Sequence, residues 1–226
     1  MGVLSAAWLI ASKDLRVEIR SRELIYTTLF FSISCVLVFA FAFVRNGRAI
    51  DNAAAGILWV TVAFAGTLAL GRTFDRERQH ETLRALLLSP VERAAVYLGK
   101  LFGLLLLLSS VLLVVTPAVG LLFQAPLGRA PWLLVGIIAS GMIGFASVGT
   151  LFAAMLVRAQ SRDVLLPVVM FPMTMPALIG GMQGTGAIFA PEPNLALAET
   201  WLSLLVFFDA VFVTLSLWTF GPVMSE

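Results

Sequence analysis

The sequence predicts an all-α integral membrane protein that crosses the bilayer six times, and three observations lead to that fold class. The first is composition: 60% of the 226 residues are hydrophobic and only 12% are charged, with a mean hydropathy of +0.98. A soluble domain of this length has too little interior for so many apolar side chains. The second is a series of long runs with at most one charge, each near or above the roughly 20 residues that a helix needs to cross the hydrocarbon. The third is that these runs lack the short apolar and polar alternation of barrel strands, so helices are expected.

The first predicted element is a helix over residues 3–23. Apolar residues recur there at intervals of three or four and share one helical face, with most charges opposite. These residues are Leu4, Trp8, Ala11, Leu15 and Ile19. The pattern predicts an amphipathic helix in the headgroup layer, placed before the first span. The alternative is a packed soluble helix.

Six spans follow, and with the first helix they make a single transmembrane permease domain over residues 1–226. The predicted spans are residues 24–44, 52–71, 101–127, 131–157, 164–180 and 201–223. Three prolines in the fifth span precede a group of glycines, so we expect that helix to break near Gly180. Residues 181–199 then form an external re-entrant or interfacial element. The alternative is an ordinary kinked helix followed by a long glycine-rich loop.

Basic residues are distributed unevenly between the two sides of the predicted bundle. Twelve Lys and Arg residues lie on the side of the N-terminus, against three on the other side. Because loops rich in Lys and Arg stay cytoplasmic, both termini are expected in the cytoplasm. This bias also accounts for the pI near 9.1 without a nucleic-acid partner. The lone Cys35 lies in a span, so no disulfide framework is expected.

The densest polar segment is RTFDRERQHETLRALLLSP, residues 72–90, in which seven of the nineteen residues are charged. Its leucines form a small apolar face, which predicts a short helix. Ser89 to Glu92 then fit a capping box, so a new helix should begin there and run through Lys100 into the third span. A short helix held between two spans at the cytoplasmic surface would act as a lever. The alternative is a solvated loop whose charges only set topology.

The order of residues in and after this segment resembles that of a known family. The matching positions are Phe74, Glu77-Arg78, Thr82-Leu83, Leu87, Pro90 and Gly99-Lys100. They are similar to the stretch after the second span in ABC-2-type permeases, the second exporter class of ABC transporters, where it is the coupling helix that docks on the ATPase. Within that class, the chain most resembles the haem exporter protein B family of the cytochrome c maturation system. The resemblance covers essentially the whole chain.

This resemblance implies a permease subunit in the bacterial inner membrane. It would couple ATP hydrolysis by a separate subunit to haem delivery, or to release of a haem chaperone, on the periplasmic side. The implied partners are an ABC ATPase subunit, haem-handling membrane subunits and a haem chaperone. A second copy of the chain is also expected, because paired ATPase subunits offer two docking clefts.

The residues expected to dock on the ATPase are Glu77, Glu81 and Leu83, with Arg78 and Arg84 as charged support. Two alternative functions remain open at this point. One keeps the architecture and changes the cargo to a lipid, a polysaccharide or a drug. The other is an ATP-independent channel or assembly scaffold.

The side chains needed for catalysis are scarce, so no enzyme activity is expected. The only acid within a span is Asp209, and the only histidine is His80 in the charged segment. An aspartyl dyad, a serine–histidine pair and a zinc site are therefore excluded. The sequence also lacks a phosphate-binding P-loop, so ATP must be bound by a partner. The methionines of the fifth span, at positions 170, 173 and 175, are expected to be packing residues, which leaves haem ligation to a partner.

Asp209 is the candidate functional charge within the membrane. It lies about a third of the way into the last predicted span from the outside, where an ionisable residue costs about 3 kcal/mol to insert. A functional role would be a gate or a contact to a partner subunit. A structural role would be a hydrogen bond to Ser or Thr on a neighbouring helix, or a position shallow enough to be hydrated.

Overall fold

The computed structural model describes residues 2–45, 48–49, 53–73, 92–157, 159 and 161–223. The predicted all-α membrane fold is confirmed, because six helices in that part of the chain are long and apolar enough to cross a membrane. A seventh helix precedes them. In chain order the helices are α1 (Val3–Ser21), α2 (Glu23–Phe43), α3 (Ala53–Thr73), α4 (Arg93–Leu122), α5 (Pro131–Met155), α6 (Arg162–Phe189) and α7 (Leu195–Val223).

The fifth spanning helix, α6, does not break where the sequence predicted. It runs without interruption from Arg162 to Phe189, although three prolines lie within it. The expected end at Gly180 is therefore wrong, and the predicted element 181–199 is divided between the end of α6, a short turn and the start of α7. The physical reason is that an apolar surrounding offers the backbone no alternative hydrogen-bond partner, so a transmembrane helix tolerates proline and glycine. Gly180, Gly181 and Gly184 serve instead as points of close helix contact.

A short hairpin joins α2 to α3 and departs from the purely helical prediction. Its strands, β1 (Val44–Arg45) and β2 (Arg48–Ala49), are antiparallel, with Val44 opposite Ala49. Hydropathy carries no signal for so short a pair. The sequence between the strands, Asn-Gly, is the dipeptide most typical of a two-residue hairpin and was the signal available.

Helices α3 and α5 form the interior of the bundle, whereas α2 and α7 are largely exposed. Leu58 of α3 and Phe145 and Ile137 of α5 are completely buried. By contrast, α2 presents Phe41 and α7 presents Trp218 with most of their surface exposed. In a membrane protein such apolar surface contacts lipid or another subunit.

Candidate functional site

The five predicted docking residues, Glu77, Arg78, Glu81, Leu83 and Arg84, lie outside the described residues. The structure instead describes the two helices that flank them, because α3 ends at Thr73 and α4 begins at Arg93. The end of α3 and the start of α4 lie at the same end of the bundle as α1. The starts of α2 and α6 and the end of α7 also lie there. We call this the charged end.

The last turn of α3 is attached to α2 and α6. Arg72 forms an ion pair with Glu23 at 2.7 Å, and because both side chains are well exposed this pair alone stabilises by about 1 kcal/mol at most. A stronger attachment comes from Arg162, the first residue of α6, whose guanidinium Nη2 donates to the carbonyl oxygen of Leu70 at 3.0 Å. Arg162 is only 2% exposed, so this hydrogen bond lies inside the protein, where it is costly to lose.

The first turns of α4 are attached to α5 and α7. Arg93 donates through Nη1 to the carbonyl oxygen of Gly221 at 2.8 Å. One turn further, the completely buried Tyr97 donates its hydroxyl proton to the carbonyl oxygen of Ser147 at 3.1 Å. Its ring also packs on that of Phe220, with centroids 5.4 Å apart. The start of α4 therefore moves together with α5 and α7.

The Gly99-Lys100 pair, which contributed to the family resemblance, is the contact site for α1. A Cβ on Gly99 would lie 2.7 Å from the Cβ of Ile10 and 3.0 Å from the carbonyl oxygen of Ala7, so only glycine admits α1 this closely. Lys100, at 2% exposure, donates from Nζ to Asp14 Oδ2 at 2.6 Å. The sequence analysis identified these residues without predicting this contact.

Helix α1 is joined to α2 by a rigid elbow. Arg22 adopts a left-handed conformation with φ of 57°, which turns the chain between the two helices. The buried Glu18 accepts hydrogen bonds on Oε1 from the backbone N–H groups of Leu24 at 2.9 Å and Ile25 at 3.2 Å. These N–H groups belong to the first turn of α2, where a helix offers its N–H groups no acceptor of its own. The carboxylate also complements the positive end of the helix dipole.

A second cluster lies in the middle of the bundle and was missed by the sequence analysis. The side chain of Trp59, on α3, is inserted between two glycines on neighbouring helices. A Cβ added to Gly141 of α5 would lie 2.1 Å from the indole ring, and a Cβ added to Gly181 of α6 would lie 2.2 Å from it. The indole Nε1 donates to Thr185 Oγ1 at 3.1 Å. The available signal was a tryptophan inside a span, because its N–H needs a partner when it is buried.

Asp209 lies nearer the middle of its helix than the sequence predicted. Helix α7 runs from Leu195 to Val223, so Asp209 stands 14 positions from each end. That separation is about 21 Å along the helix axis in either direction. Its Oδ2 accepts a hydrogen bond from Ser140 Oγ of α5 at 2.5 Å. Its Oδ1 has no hydrogen-bond partner in the described part of the chain and faces Gly144, where a Cβ would lie 2.8 Å away. A bond to a serine on a neighbouring helix was one of the two structural roles expected.

The three methionines singled out in α6, Met170, Met173 and Met175, do not converge on one point. Met170 is completely buried and its sulfur packs toward Gly149, whereas Met173 and Met175 are 42% and 47% exposed. Within the described residues, no group of three or more His, Cys, Asp or Glu side chains is positioned to hold a metal ion. These three thioethers therefore lie as separate packing groups.

Comparison with known proteins places the chain in one family. Residues 5–224 match the family model described as CcmB protein. The protein named heme exporter protein B of Rhodobacter capsulatus is 28% identical over 174 residues, which cover 77% of this chain and 79% of that protein. Its namesake from Paracoccus denitrificans is 29% identical over 154 residues, covering 68% and 70% of the two chains. The Escherichia coli K12 protein of the same name is 30% identical over 96 residues, covering 42% and 44%.

Proposed function

Since this chain belongs to the CcmB protein family, we propose that it is the membrane-embedded permease subunit of an ABC-type haem exporter complex acting in cytochrome c maturation. In this role it has no catalytic site of its own. It couples ATP hydrolysis by a separate subunit to haem delivery, or to release of a haem chaperone, on the periplasmic side of the inner membrane. The family membership and the six spans support the coarse assignment, and the contacts at the charged end support the coupling role.

The observation that carries the coupling role is the set of contacts made by the two helices that flank residues 74–91. The end of α3 is bonded to α2 and to α6. The start of α4 is bonded to α1, α5 and α7. A displacement of the intervening segment is therefore transmitted by direct contacts to every other described helix. Firm attachment of the two flanking helices to the bundle is what a lever between an ATPase and a permease requires.

The docking contact itself is assigned to Glu77, Glu81 and Leu83, supported by Arg78 and Arg84. To test it, Glu77→Lys and Glu81→Lys are combined in a chain that is co-expressed with its ATPase subunit. The reversed charges should repel the ATPase surface that the carboxylates bind, and co-purification should be lost. The readouts are the amount of ATPase retained after gentle solubilisation and the yield of matured cytochrome c.

A matched control reverses two carboxylates at the other end of the bundle, Glu192→Lys and Glu199→Lys. Both side chains are exposed, so these changes should fold normally and leave the ATPase bound. If the Glu77 and Glu81 reversals also left the ATPase firmly bound, the docking assignment would be wrong.

Haem ligation is assigned to a partner subunit, because the methionines at positions 170, 173 and 175 lie apart from one another. Gentle purification of the complex, followed by stepwise removal of the partners, locates the ligand. Haem absorbance should leave with the haem-handling membrane subunits and not stay with this chain. Recovery of an ATPase without haem would favour export of a lipid, a polysaccharide or a drug, and absence of any ATPase would favour a channel or scaffold.

The charged end is assigned to the cytoplasm, and both chain termini with it. The support is the excess of Lys and Arg on that side, twelve against three. We also assign a second copy of the chain to the complex. In that arrangement each copy presents one segment 74–91 to one of two paired ATPase subunits.

A further inference from the structure

Helix α1 sorts its side chains onto three faces. Small residues pack against α4, and Ala7 and Ala11 are completely buried there. The adjacent face carries large apolar side chains that remain exposed: Leu4 at 70%, Trp8 at 60% and Ile19 at 54%. A third face carries exposed basic residues at positions 13, 16 and 20.

The two carboxylates of α1 are withdrawn from this outward surface. Glu18 is buried and occupied by the amides of α2. Asp14 is shared between the buried Lys100 at 2.6 Å and the exposed Lys13 at 3.2 Å. Among the exposed basic residues of α1, it therefore neutralises only Lys13. Arg16 and Arg20 form no ion pair with a carboxylate in the described part of the chain. The charges of α1, mixed along the sequence, are thus separated in the fold, with carboxylates inward and guanidinium groups outward.

The position of α1 places this surface at the level of the headgroups. The helix ends at the Arg22 elbow, and the first candidate span begins at the next residue, Glu23. Exposed tryptophan is typical of this layer, because its ring is apolar and its N–H is polar. Basic residues held there attract anionic lipid, by about five-fold in affinity for each charge near the surface.

We propose that α1 is a binding surface for anionic phospholipids of the surrounding bilayer. Arg16 and Arg20, with the exposed Arg22 at the elbow, contact headgroup phosphates. The apolar side chains of Trp8 and Ile19 enter the adjoining acyl region. This inference rests on the membrane fold and not on the proposed transport activity. The competing occupant, an acidic surface of another protein, is an outcome of the test.

The test measures lipid preference beside α1 in vesicles. A fluorophore is attached to Ile19→Cys in a Cys35→Ala background, and quenching by brominated phosphatidylglycerol is compared with quenching by brominated phosphatidylcholine. We expect a several-fold preference for phosphatidylglycerol that weakens in high salt, because the attraction is electrostatic. Combining Arg16→Gln, Arg20→Gln and Arg22→Gln should bring the preference close to one. A second probe at Trp132→Cys, 88% exposed at the opposite end of the bundle, should be unaffected by those changes.

Equal quenching by the two lipids in the parent protein would overturn the proposal. So would a preference that survives removal of all three arginines. A probe that shows no lipid preference and is shielded when the ATPase or another subunit binds would also overturn it, and would assign the basic face to a protein partner.

Discussion

Gly181→Ala is expected to destabilise the protein substantially, because the added methyl group has no room beside Trp59. The new Cβ would lie 2.2 Å from Cζ2 of the indole, whereas carbon atoms in contact are normally about 3.5 to 4.0 Å apart. The ring has little room to retreat, since the neighbouring ring atom Cη2 already packs against Gly141, where an added Cβ would lie 2.1 Å away. Helix α6 must therefore move away from α3.

The magnitude follows from two contributions. Overpacking a filled core costs about 1 to 3 kcal/mol. Displacing α6 also weakens the hydrogen bond from Trp59 to Thr185, and such interhelical bonds within a membrane contribute about 0.6 kcal/mol on average. We therefore expect a loss of about 1.5 to 3.5 kcal/mol in the free energy of unfolding. The measurement is reversible unfolding in mixed micelles of increasing denaturing detergent.

Two variants make this prediction decisive. Gly103→Ala is the matched control, because a Cβ there meets nothing within 4 Å, and it should be neutral or stabilising by up to about 1 kcal/mol. Trp59→Phe removes the ring atoms that the new methyl group would meet. Combined with Gly181→Ala, it should therefore cost less than the sum of the single changes, by about 1 kcal/mol or more. Equal stabilities for Gly181→Ala and Gly103→Ala would refute the reasoning.

Three further predictions concern the charged residues. A double-mutant cycle with Asp14→Asn and Lys100→Met should give a coupling of about 1 to 2 kcal/mol in the free energy of unfolding, because the pair is mostly shielded from solvent, and a coupling near zero would contradict it. Asp209→Asn should preserve or raise stability in the same assay, since it removes a charge midway along α7 while keeping an acceptor for Ser140. Full cytochrome c maturation by this variant would remove the case for an essential charge. Single cysteines at Arg20 and Arg129 should be labelled by an impermeant reagent from opposite sides of intact cells, with only the second reached from outside, and the reverse result would invert the assigned topology.

The elements that hydropathy specifies were predicted well, and the errors have identifiable causes. The fold class is confirmed, because the length and composition of each run are local properties and lipid leaves a helix as the only way to satisfy its backbone. The break at Gly180 was wrong because proline and glycine were weighted as they act in water. The last span was started too late because its uncharged run begins only after Glu199, whereas α7 begins at Leu195, just after the capping residue Asn194.

The candidate site was predictable only in outline. The residue order after the second span indicated where coupling takes place, and the docking residues assigned there stay a prediction because they lie outside the described residues. The contacts that bind the flanking helices into the bundle were not predictable. Most join residues far apart in the chain, such as Arg93 with Gly221, through a backbone carbonyl that every residue type offers.

The sequence by itself determined that this protein is a six-span helical membrane protein of the CcmB family, with one dense charged segment between its second and third spans. Only the tertiary structure decided what individual residues do within that frame. Gly181 could break a helix or admit a neighbour, and the ring of Trp59 selects the second. Asp14 and Glu18 could face water or protein. The ammonium group of Lys100 draws Asp14 inward, and the backbone amides of α2 draw Glu18 inward. A glycine or a carboxylate acts through whatever lies against it, and that neighbour is set by packing between distant parts of the chain.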